Sequence, residues 1–352
     1  MSRGDTAAPA GTVVLRFPGA ARDMLTNCSA GTRAGDALFI AADEQAALSR
    51  LVRDGDRWTQ SDAVPLGDLL PLAWPDEEAD IEGLATDGDW LWVVGSHART
   101  RRKPEKADAE TIDLATLADL KDTRARCLLA RIPLVPGDGG PRPVRRDGER
   151  RAGLLKQARK GGPLYRRLRR DPLIAPFTRV PAKEGGVDVE GVAVAGTRIA
   201  LGLRGPVIAT HAVLLEFQVR AGRTGKLHVA GDVAKRLLAL DGLGIRDLKR
   251  HGDDLLILAG PTTGLSGPCR LYRWRGWAND PPRDAQRVRL HRPDLLLDLP
   301  FGRGVDHAEG LALWEDAADG TPQLLVIHDS PAPARVDVAA GTLTADLFRF
   351  AR

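Results

Sequence analysis

The sequence predicts an all-β fold assembled from internal repeats, and three observations support this prediction. First, one short phrase occurs three times, at 80–85 (Asp-Ile-Glu-Gly-Leu-Ala), 188–193 (Asp-Val-Glu-Gly-Val-Ala) and 306–312 (Asp-His-Ala-Glu-Gly-Leu-Ala). Second, a turn and a short apolar run follow each phrase, as in a β-hairpin. Third, strand-like runs at 13–17 and 343–350 are placed to join the two ends of the chain. A phrase that recurs at long intervals is typical of a repeat architecture.

The predicted elements follow the same order in each repeat. After the phrase come the apolar runs 90–95, 198–202 and 323–327. Further strand candidates then lie at 127–132, 213–217 and 335–338. Fourth-strand candidates lie at 226–229 and 287–290. Two degenerate copies fit this template, so that repeats begin near residues 27, 80, 188, 246 and 306.

Units of about 40–60 residues with about four short strands each are typical of the blades of a β-propeller. Three of the intervals between repeats are 53, 58 and 60 residues, and the fourth is 108. We therefore favour five blades, and six or seven stay open if the long interval contains a divergent blade. A linear solenoid is the rival architecture, but its units are usually shorter and more regular.

The prediction is a single propeller domain over 13–352, with charged insertion segments at 99–125 and 142–172 inside blade two. Apolar residues at helical spacing in 107–122 predict a helix. Residues 153–170 predict one or two basic helical turns around a break at 161–163.

The composition of the chain restricts the class of protein to which it can belong. The chain has 352 residues, is 43% hydrophobic, and contains no run of eighteen apolar residues that could form a transmembrane helix. Its first residues lack the apolar segment of a secretory signal. The three cysteines, Cys28, Cys127 and Cys269, show no paired spacing, and we interpret Cys127 and Cys269 as buried apolar residues. These features favour a monomer in a reducing cytoplasm.

Positive charge is concentrated in one segment. Residues 145–170 hold eleven Arg or Lys against two acidic residues, so that the rest of the chain is acidic although the net charge is +4. Such a segment can bind nucleic acid, phosphorylated ligands or an anionic membrane surface. The alternative is a solvated insertion that pairs with the acidic remainder. Only Tyr165 interleaves the arginines, so a stacking platform for single-stranded nucleic acid is missing.

The repeated Asp-x-Glu-Gly-[Leu/Val]-Ala phrase, with its Gly-Ile-Arg-Asp-Leu variant at 244–248, resembles the bacterial family known as domain of unknown function 3616. The resemblance runs from about residue 15 to 350 and implies a propeller with no assigned activity. The chain is more distantly similar to phytase-like esterase domains and gluconolactonase-type propellers. That likeness, limited to the Glu-Gly element, implies a metal-supported hydrolytic site on the axis.

The repeated glutamates Glu82, Glu190 and Glu309 are expected to face the propeller axis, with Asn27 and Arg246 or Asp247 at equivalent positions of the degenerate copies. Carboxylates that share an axis repel one another unless something compensates. The candidates are Ca²⁺ or another divalent cation held by the three glutamates, and bidentate pairing with Arg204 and Arg246. A purely structural role, with glutamates accepting backbone hydrogen bonds, stays open.

A second ring of residues follows the apolar run of each repeat and differs from one repeat to the next, as expected of a specific site. His97, His328 and Asp329 are the candidate catalytic residues there, because imidazole titrates near neutral pH. Asn27, Asp43, Arg204 and Arg246 are the candidate substrate-binding residues. No Gly-x-Ser-x-Gly, His-Glu-x-x-His or P-loop motif is present.

Three hypotheses follow. The first is a hydrolase or lyase that acts on a small polar or phosphorylated substrate at the channel mouth, with a cation in support. The second is a non-catalytic propeller that binds a ligand or a protein through its basic insertion. The third is a protein that associates with nucleic acid through the same segment.

Overall fold

Antiparallel strands form most of the regular structure, so the predicted all-β class is confirmed. The computed structural model describes residues 6–19, 22–42, 46–101, 111, 113–121, 123–158, 161–264, 266–282, 286–315 and 319–351. The α-helices within them are short: α1 (Arg22–Thr26), α2 (Leu66–Leu69), α3 (Leu114–Ala118) and α4 (Pro163–Leu168). Single 3-10 turns lie at Arg124–Arg126, Ala175–Arg179, Ala182–Glu184, Trp277–Asn279 and Pro333–Arg335.

Within the described residues the strands group into five antiparallel units, preceded by β1 (Gly11–Arg16). The first unit contains β2 (Cys28–Ala34), β3 (Ala37–Ala42), β4 (Ala47–Asp54) and β5 (Arg57–Pro65). The second contains β6 (Ile81–Asp87), β7 (Trp90–Gly95) and β8 (Leu129–Val135), followed by the two-residue strands β9 (Arg142–Pro143), β10 (Arg146–Asp147), β11 (Arg150–Arg151) and β12 (Gly153–Leu154).

The remaining units follow in chain order. The third contains β13 (Asp188–Ala195), β14 (Arg198–Ile208), β15 (His211–Ala221) and β16 (Leu227–Leu238). The fourth contains β17 (Gly244–His251), β18 (Asp254–Gly260) and β19 (Cys269–Trp274); β20 (Arg289–His291) intervenes before its last strand, β21 (Asp294–Leu299). The fifth contains β22 (His307–Trp314), β23 (Gln323–Asp329), β24 (Val336–Asp337) and β25 (Thr342–Arg349).

The first strands of the five units pack side by side in a closed ring. Strand β2 contacts β6, β6 contacts β13, β13 contacts β17, β17 contacts β22, and β22 returns to β2. A separate apolar cluster fills the space between each pair of neighbouring units. Each sheet therefore buries both faces against its neighbours, which is the packing of a propeller-type fold.

The two ends of the chain join in one sheet, as the runs 13–17 and 343–350 indicate. Strand β1 pairs antiparallel with β25, with Val13 opposite Ala345 and Leu15 opposite Leu343. The N-terminal strand thus becomes the outermost strand of the fifth unit, and it also pairs in parallel with β5 of the first unit. Of the candidate strand at 335–338, only Val336–Asp337 form a strand, the short β24, because β25 takes the third place in this unit.

Two sequence-based predictions are wrong in detail. Residues 153 and 154 do not begin a basic helix but form β12, which pairs with β8 as the fourth strand of the second unit. The candidate strand at 287–290 overlaps β20, which pairs in parallel with β16 of the third unit, and β21 is the fourth strand of the fourth unit. Both regions interrupt the repeat, and there the local pattern does not indicate which sheet the strand joins.

The insertion in the second unit is partly buried. Leu164 and Leu168 of α4 belong to the apolar cluster between the second and third units. Helix α3 accounts for only part of the predicted helix at 107–122, of which residues 107–110, 112 and 122 lie outside the described residues. The three cysteines are buried, as predicted for Cys127 and Cys269. No helix among the described residues is long and apolar enough to cross a membrane.

Candidate functional site

One residue in the first strand of every unit lies at a β-bulge. In the second unit Ile81 is opposite Gly95 and Gly83 is opposite Val94, so that Glu82 has no cross-strand partner. The same register shift occurs in the other four units. The five bulge residues are Ser29, Glu82, Glu190, Arg246 and Glu309. A bulge redirects the side chain it carries, so the ring of first strands presents one redirected side chain per unit.

In the first unit Ser29 occupies the bulge position that the repeated glutamates occupy in other units, whereas the sequence predicted Asn27 there. Ser29 Oγ donates a hydrogen bond to the carbonyl oxygen of Ile81 at 2.6 Å, which ties the first unit to the second. Asn27 lies two residues earlier and forms an isolated bridge with Asp329 of the fifth unit. The degenerate phrase at 27–31 contains no Glu-Gly pair, so the sequence offered no marker for this register.

The glycine that follows each repeated glutamate is needed for close packing of neighbouring units. A Cβ at Gly191 would lie 2.8 Å from the backbone nitrogen of Leu248, and one at Gly310 would lie 3.2 Å from Cα of Ala30. Both distances are shorter than ordinary van der Waals contact. Close packing therefore explains why the glycine of the Glu-Gly pair recurs. It does not explain the recurrence of the glutamate.

Arginines compensate two of the three repeated glutamates. Arg204 contacts Asp188 at 2.5 Å and Glu190 at 2.8 Å. Arg246 contacts the other carboxylate oxygen of Glu190 at 3.0 Å and also pairs with Glu309. The fourth unit thus contributes an arginine where the second, third and fifth contribute glutamates. Of the two forms of compensation expected from the sequence, this arrangement supports pairing with arginine.

The described residues contain no group of three or more His, Cys, Asp or Glu side chains arranged to hold a metal ion. The binding of Ca²⁺ or another divalent cation by Glu82, Glu190 and Glu309 stays a prediction.

Burial makes several of these carboxyls weak acids. It raises the pKa of Glu190 to about 7, although Arg204 and Arg246 act in the opposite direction. Burial likewise raises the pKa of Asp80 to about 7, against the effect of Arg126, whose guanidinium lies 2.7 Å from it. The hydroxyl of Ser96 also donates to Asp80. Near neutral pH the cluster can therefore gain or release protons.

Glu82 is the member of this cluster that has no ion-pair partner among the described residues. Burial, together with the neighbouring carboxyls Asp80, Glu190 and Asp188, raises its pKa well above 4.5. Only Arg204 acts against this rise among its principal neighbours. Glu82 is therefore a neutral carboxylic acid over a wider pH range than an ordinary glutamate, and it can donate as well as accept a hydrogen bond.

A buried ion pair spans the axis next to this cluster. Lys249 Nζ lies 2.6 Å from Asp247 and donates to the carbonyl oxygen of Leu84 in the second unit at 3.0 Å. Asp247 accepts hydrogen bonds from the backbone nitrogens of Leu248 and, in the fifth unit, Leu311, both at 2.7 Å. This pair joins three units, and it replaces the Gly and Ala found at the corresponding positions of the other phrases.

A cavity of about 240 Å³ lies beside the arginine and glutamate network, between the fourth and fifth units. Its ionisable lining residues are Lys183, Arg204, Arg246, Cys269, His307, Glu309 and Asp329. His307 and Asp329 are directly opposite each other on β22 and β23. Nε2 of His307 is buried without a hydrogen-bond partner among the described residues. Burial raises the pKa of Cys269, which keeps its thiol protonated.

Of the candidate residues, the structure brings Arg204, Arg246, Glu309 and Asp329 to this cavity, but not His97 or His328. His328 is buried inside the fifth unit, with Nε2 3.5 Å from Asp346 of β25. His97 is buried in the second unit and lines another pocket. Their catalytic roles stay predictions that this geometry does not favour. Asp43, predicted to bind substrate, lies outside the described residues.

Sequence reasoning missed His307 and Lys183 as lining residues. His307 stands inside the third phrase, which has one more residue before its glutamate than the other two phrases, so the alignment of the repeats did not assign His307 a position. It lies opposite Asp329, so the pairing register of the fifth hairpin was the signal that could have found it. Lys183 lies in a 3-10 turn of the connection between the second and third units, which no repeat predicts.

Comparison with protein families found one match. The family described as "Protein of unknown function (DUF3616)" matches residues 27–346, which is most of the chain. A search of curated proteins found no match.

Several solved structures resemble the fold. Glutaminyl cyclase of Myxococcus xanthus is 11% identical, with a TM-score of 0.41 over 97% of this chain and 100% of that one. An α-L-arabinanase of Cellvibrio cellulosa, solved with arabinohexaose, is 11% identical, with a TM-score of 0.42 over 93% and 92%. An exo-1,5-α-L-arabinanase from a bovine ruminal metagenomic library is 10% identical, with a TM-score of 0.39 over 93% and 94%. Similarity at this level carries no argument about the activity of this chain.

Proposed function

The chain belongs to the family Protein of unknown function (DUF3616), and we propose that it is a five-bladed propeller hydrolase that acts on a small anionic ester, lactone or phosphoester. The observation that carries this proposal is the cavity of about 240 Å³ between the fourth and fifth units. Three cationic side chains and a histidine with an opposing carboxylate meet there. We interpret the five antiparallel units as blades, because their first strands form one closed ring.

The cations supply binding. Lys183, Arg204 and Arg246 line the cavity, and guanidinium groups bind carboxylate or phosphate oxygens with strong, directional hydrogen bonds. Arg204 and Arg246 are already held in place by Asp188, Glu190 and Glu309. A fixed guanidinium loses little conformational entropy when a substrate binds, so this network prepares the site for an anion.

His307 supplies the general base. In this proposal the imidazole of His307, which lines the cavity, takes a proton from a water molecule as the water oxygen attacks the carbonyl or phosphoryl centre of the substrate. The proton then passes to the departing oxygen, so the imidazole is regenerated. In this proposal Asp329, the residue opposite His307 on the paired strand, orients the ring and stabilises its charged form. The protonated thiol of Cys269 argues against a cysteine nucleophile.

The test is hydrolysis of a panel of p-nitrophenyl esters, lactones and phosphomonoesters by the full-length protein. We expect His307→Gln and Asp329→Asn to lower kcat/KM on an accepted substrate by about 10²–10⁴-fold, the usual contribution of general base catalysis. His228→Gln is the matched control, because His228 is exposed on β16 away from the cavity. Full activity in both cavity variants, or no turnover of any panel member by the wild type, would exclude the proposal.

A second candidate is a non-catalytic propeller that binds an anionic ligand in the same cavity. The observation that favours it is the mutual neutralisation of Glu190, Arg246 and Glu309, which leaves few charged groups free to act on a substrate. In that case Arg204→Gln lowers ligand affinity, whereas His307→Gln changes nothing.

A further inference from the structure

A basic pocket lies in the second unit, apart from the cavity between the fourth and fifth units. The cationic side chains Arg99, Lys121, Arg124 and Arg169 line it, together with Thr123, Tyr165 and His97. Its volume is about 40 Å³. A cavity needs about 10–15 Å³ to hold one water molecule, so the pocket has room for about three waters or one tetrahedral oxyanion.

Three separate segments form this pocket. Arg101 and Leu120 form an antiparallel bridge, and the backbone nitrogen of Lys121 donates to the carbonyl oxygen of Thr100 at 2.9 Å, which sets the two ends of the insertion segment 99–125 side by side. Arg169 comes from the residue after α4, where its guanidinium lies 4.7 Å from the centre of the Tyr165 ring. The pocket is therefore built by tertiary packing and not by one run of basic residues.

The positive charge of this pocket is only partly neutralised. Arg124 pairs with Glu77 at 2.5 Å. By contrast, no carboxylate among the described residues pairs with Arg99, Lys121 or Arg169. None of the lining residues is acidic. Cations gathered in a concave site without counter-charges favour binding of an anion.

His97 adds a hydrogen-bond acceptor to this cationic pocket. The residue is 3% exposed, and its Nε2 lies 3.2 Å from the carbonyl oxygen of Leu128. A carbonyl oxygen only accepts, so Nε2 carries the ring proton and Nδ1 carries the lone pair. Nδ1 is buried and has no partner among the described residues. Burial lowers the pKa of His97 to about 4, which keeps the ring neutral at pH 7. A ligand that matches this pocket therefore presents both negative charge and a hydroxyl proton.

We propose that this pocket binds the phosphate group of a small phosphorylated ligand. The anionic oxygens accept hydrogen bonds from Arg99, Lys121 and Arg169, and the remaining P–OH donates to Nδ1 of His97. Both requirements of the pocket are met by one tetrahedral group. The site is independent of the hydrolytic activity proposed for the cavity between the fourth and fifth units, because the two cavities share no lining residue.

The test is calorimetric titration of the full-length protein with inorganic phosphate and with sulfate at pH 6.5. Sulfate has the same shape as phosphate but carries no hydroxyl proton at this pH, so we expect phosphate to bind about tenfold or more tightly. Lys121→Gln and Arg169→Gln should each weaken phosphate binding by about tenfold or more, the loss of one charge-assisted hydrogen bond. On titration with phosphate, the imidazole signals of His97 in an NMR spectrum should shift.

Arg166→Gln is the matched control, because Arg166 lies on α4 three residues before Arg169, carries the same charge and is exposed outside the pocket. Equal weakening in Arg166→Gln, equal affinities for sulfate and phosphate, or no phosphate binding at about 10 mM would each overturn the proposal. Glycerol phosphate and vesicles containing phosphatidic acid then distinguish a soluble monoester, which we expect, from a lipid headgroup.

Discussion

At the scale of single residues, the most informative side chains are those that differ between units at equivalent positions. The bulge position carries serine, arginine and three glutamates, and these side chains meet near the axis. Arg246 joins Glu190 to Glu309, and Lys249 joins Asp247 to the backbone of the second unit. Charge complementarity between units therefore depends on a single divergent copy of the phrase.

The first prediction concerns Glu82 and pH. Its pKa is raised in the folded protein, so protonation favours the folded state, and the contribution present below pH 4.5 is lost as the pH rises through the higher value. Because Gln resembles the protonated acid, we expect Glu82→Gln to raise the melting temperature at pH 8 and to leave it unchanged near pH 4. Thermal unfolding followed by circular dichroism at the two pH values measures this. Glu315→Gln, at an exposed carboxyl, is the control, and the same pH dependence in wild type and Glu82→Gln would contradict the prediction.

The second prediction concerns the buried ion pair. Lys249→Ala leaves Asp247 without its counter-charge, so we expect the free energy of unfolding to fall by about 3–5 kcal/mol. Asp247→Gly combined with Lys249→Ala restores the Gly and Ala of the other phrases and should lose less than Lys249→Ala alone. Urea denaturation of the three proteins measures the difference. A double variant that loses as much stability as Lys249→Ala alone, or more, would contradict the prediction.

At the scale of elements, the joining of the chain ends is the feature on which the closed ring depends. Strand β1 completes the fifth unit and pairs with the first, so it adds to the interface at which β22 also packs on β2. The pairing could be anticipated from the sequence because both terminal runs are strand-like and stand at the two ends of a repeated chain. The partner sheets of β12 and β20 could not, since two or three residues carry no periodic pattern.

The third prediction follows from this closure. Leu15 is fully buried at the interface between the fifth and first units, so Leu15→Ala should lower the free energy of unfolding by about 2–5 kcal/mol. Arg16→Ala, at the exposed neighbouring position, should change it by about 0.5 kcal/mol or less. Chemical denaturation of both variants provides the comparison. A Leu15 variant as stable as Arg16→Ala would mean that the terminal strand contributes little to closure.

At the scale of the whole molecule, positive and negative charges are separated along the chain but meet in space. The basic insertion packs Leu164 and Leu168 into the core, and Lys235 of β16 pairs with Asp171 at its end. An insertion held in this way presents pockets and not a free basic arm. The propeller ring meanwhile concentrates carboxyls at its axis and supplies arginines from two of its units to compensate them.

The fourth prediction concerns the binding of Ca²⁺ or another divalent cation by the three repeated glutamates. Since Arg204 and Arg246 already pair with the glutamates, we expect a chelator to leave the melting temperature of the purified protein unchanged. Elemental mass spectrometry of the wild type and of a Glu82→Ala/Glu190→Ala variant is the direct measurement. Stoichiometric calcium that is lost in the variant would instead support the divalent-cation prediction and give Glu82 the role of a ligand.

The sequence by itself determined the all-β class and the repeat, because close packing of first strands requires the Glu-Gly phrase with flanking apolar residues to recur in the second, third and fifth units. Only the tertiary structure decided that Ser29 and not Asn27 occupies the bulge, that Arg246 links two glutamates, and that His307 and Lys183 face the cavity while His328 does not. The physical reason is that a bulge shifts the register by one residue and reverses which side chains face the axis. Such a shift depends on how the two strands of each hairpin pair, and the residue pattern of the first strand alone does not record it.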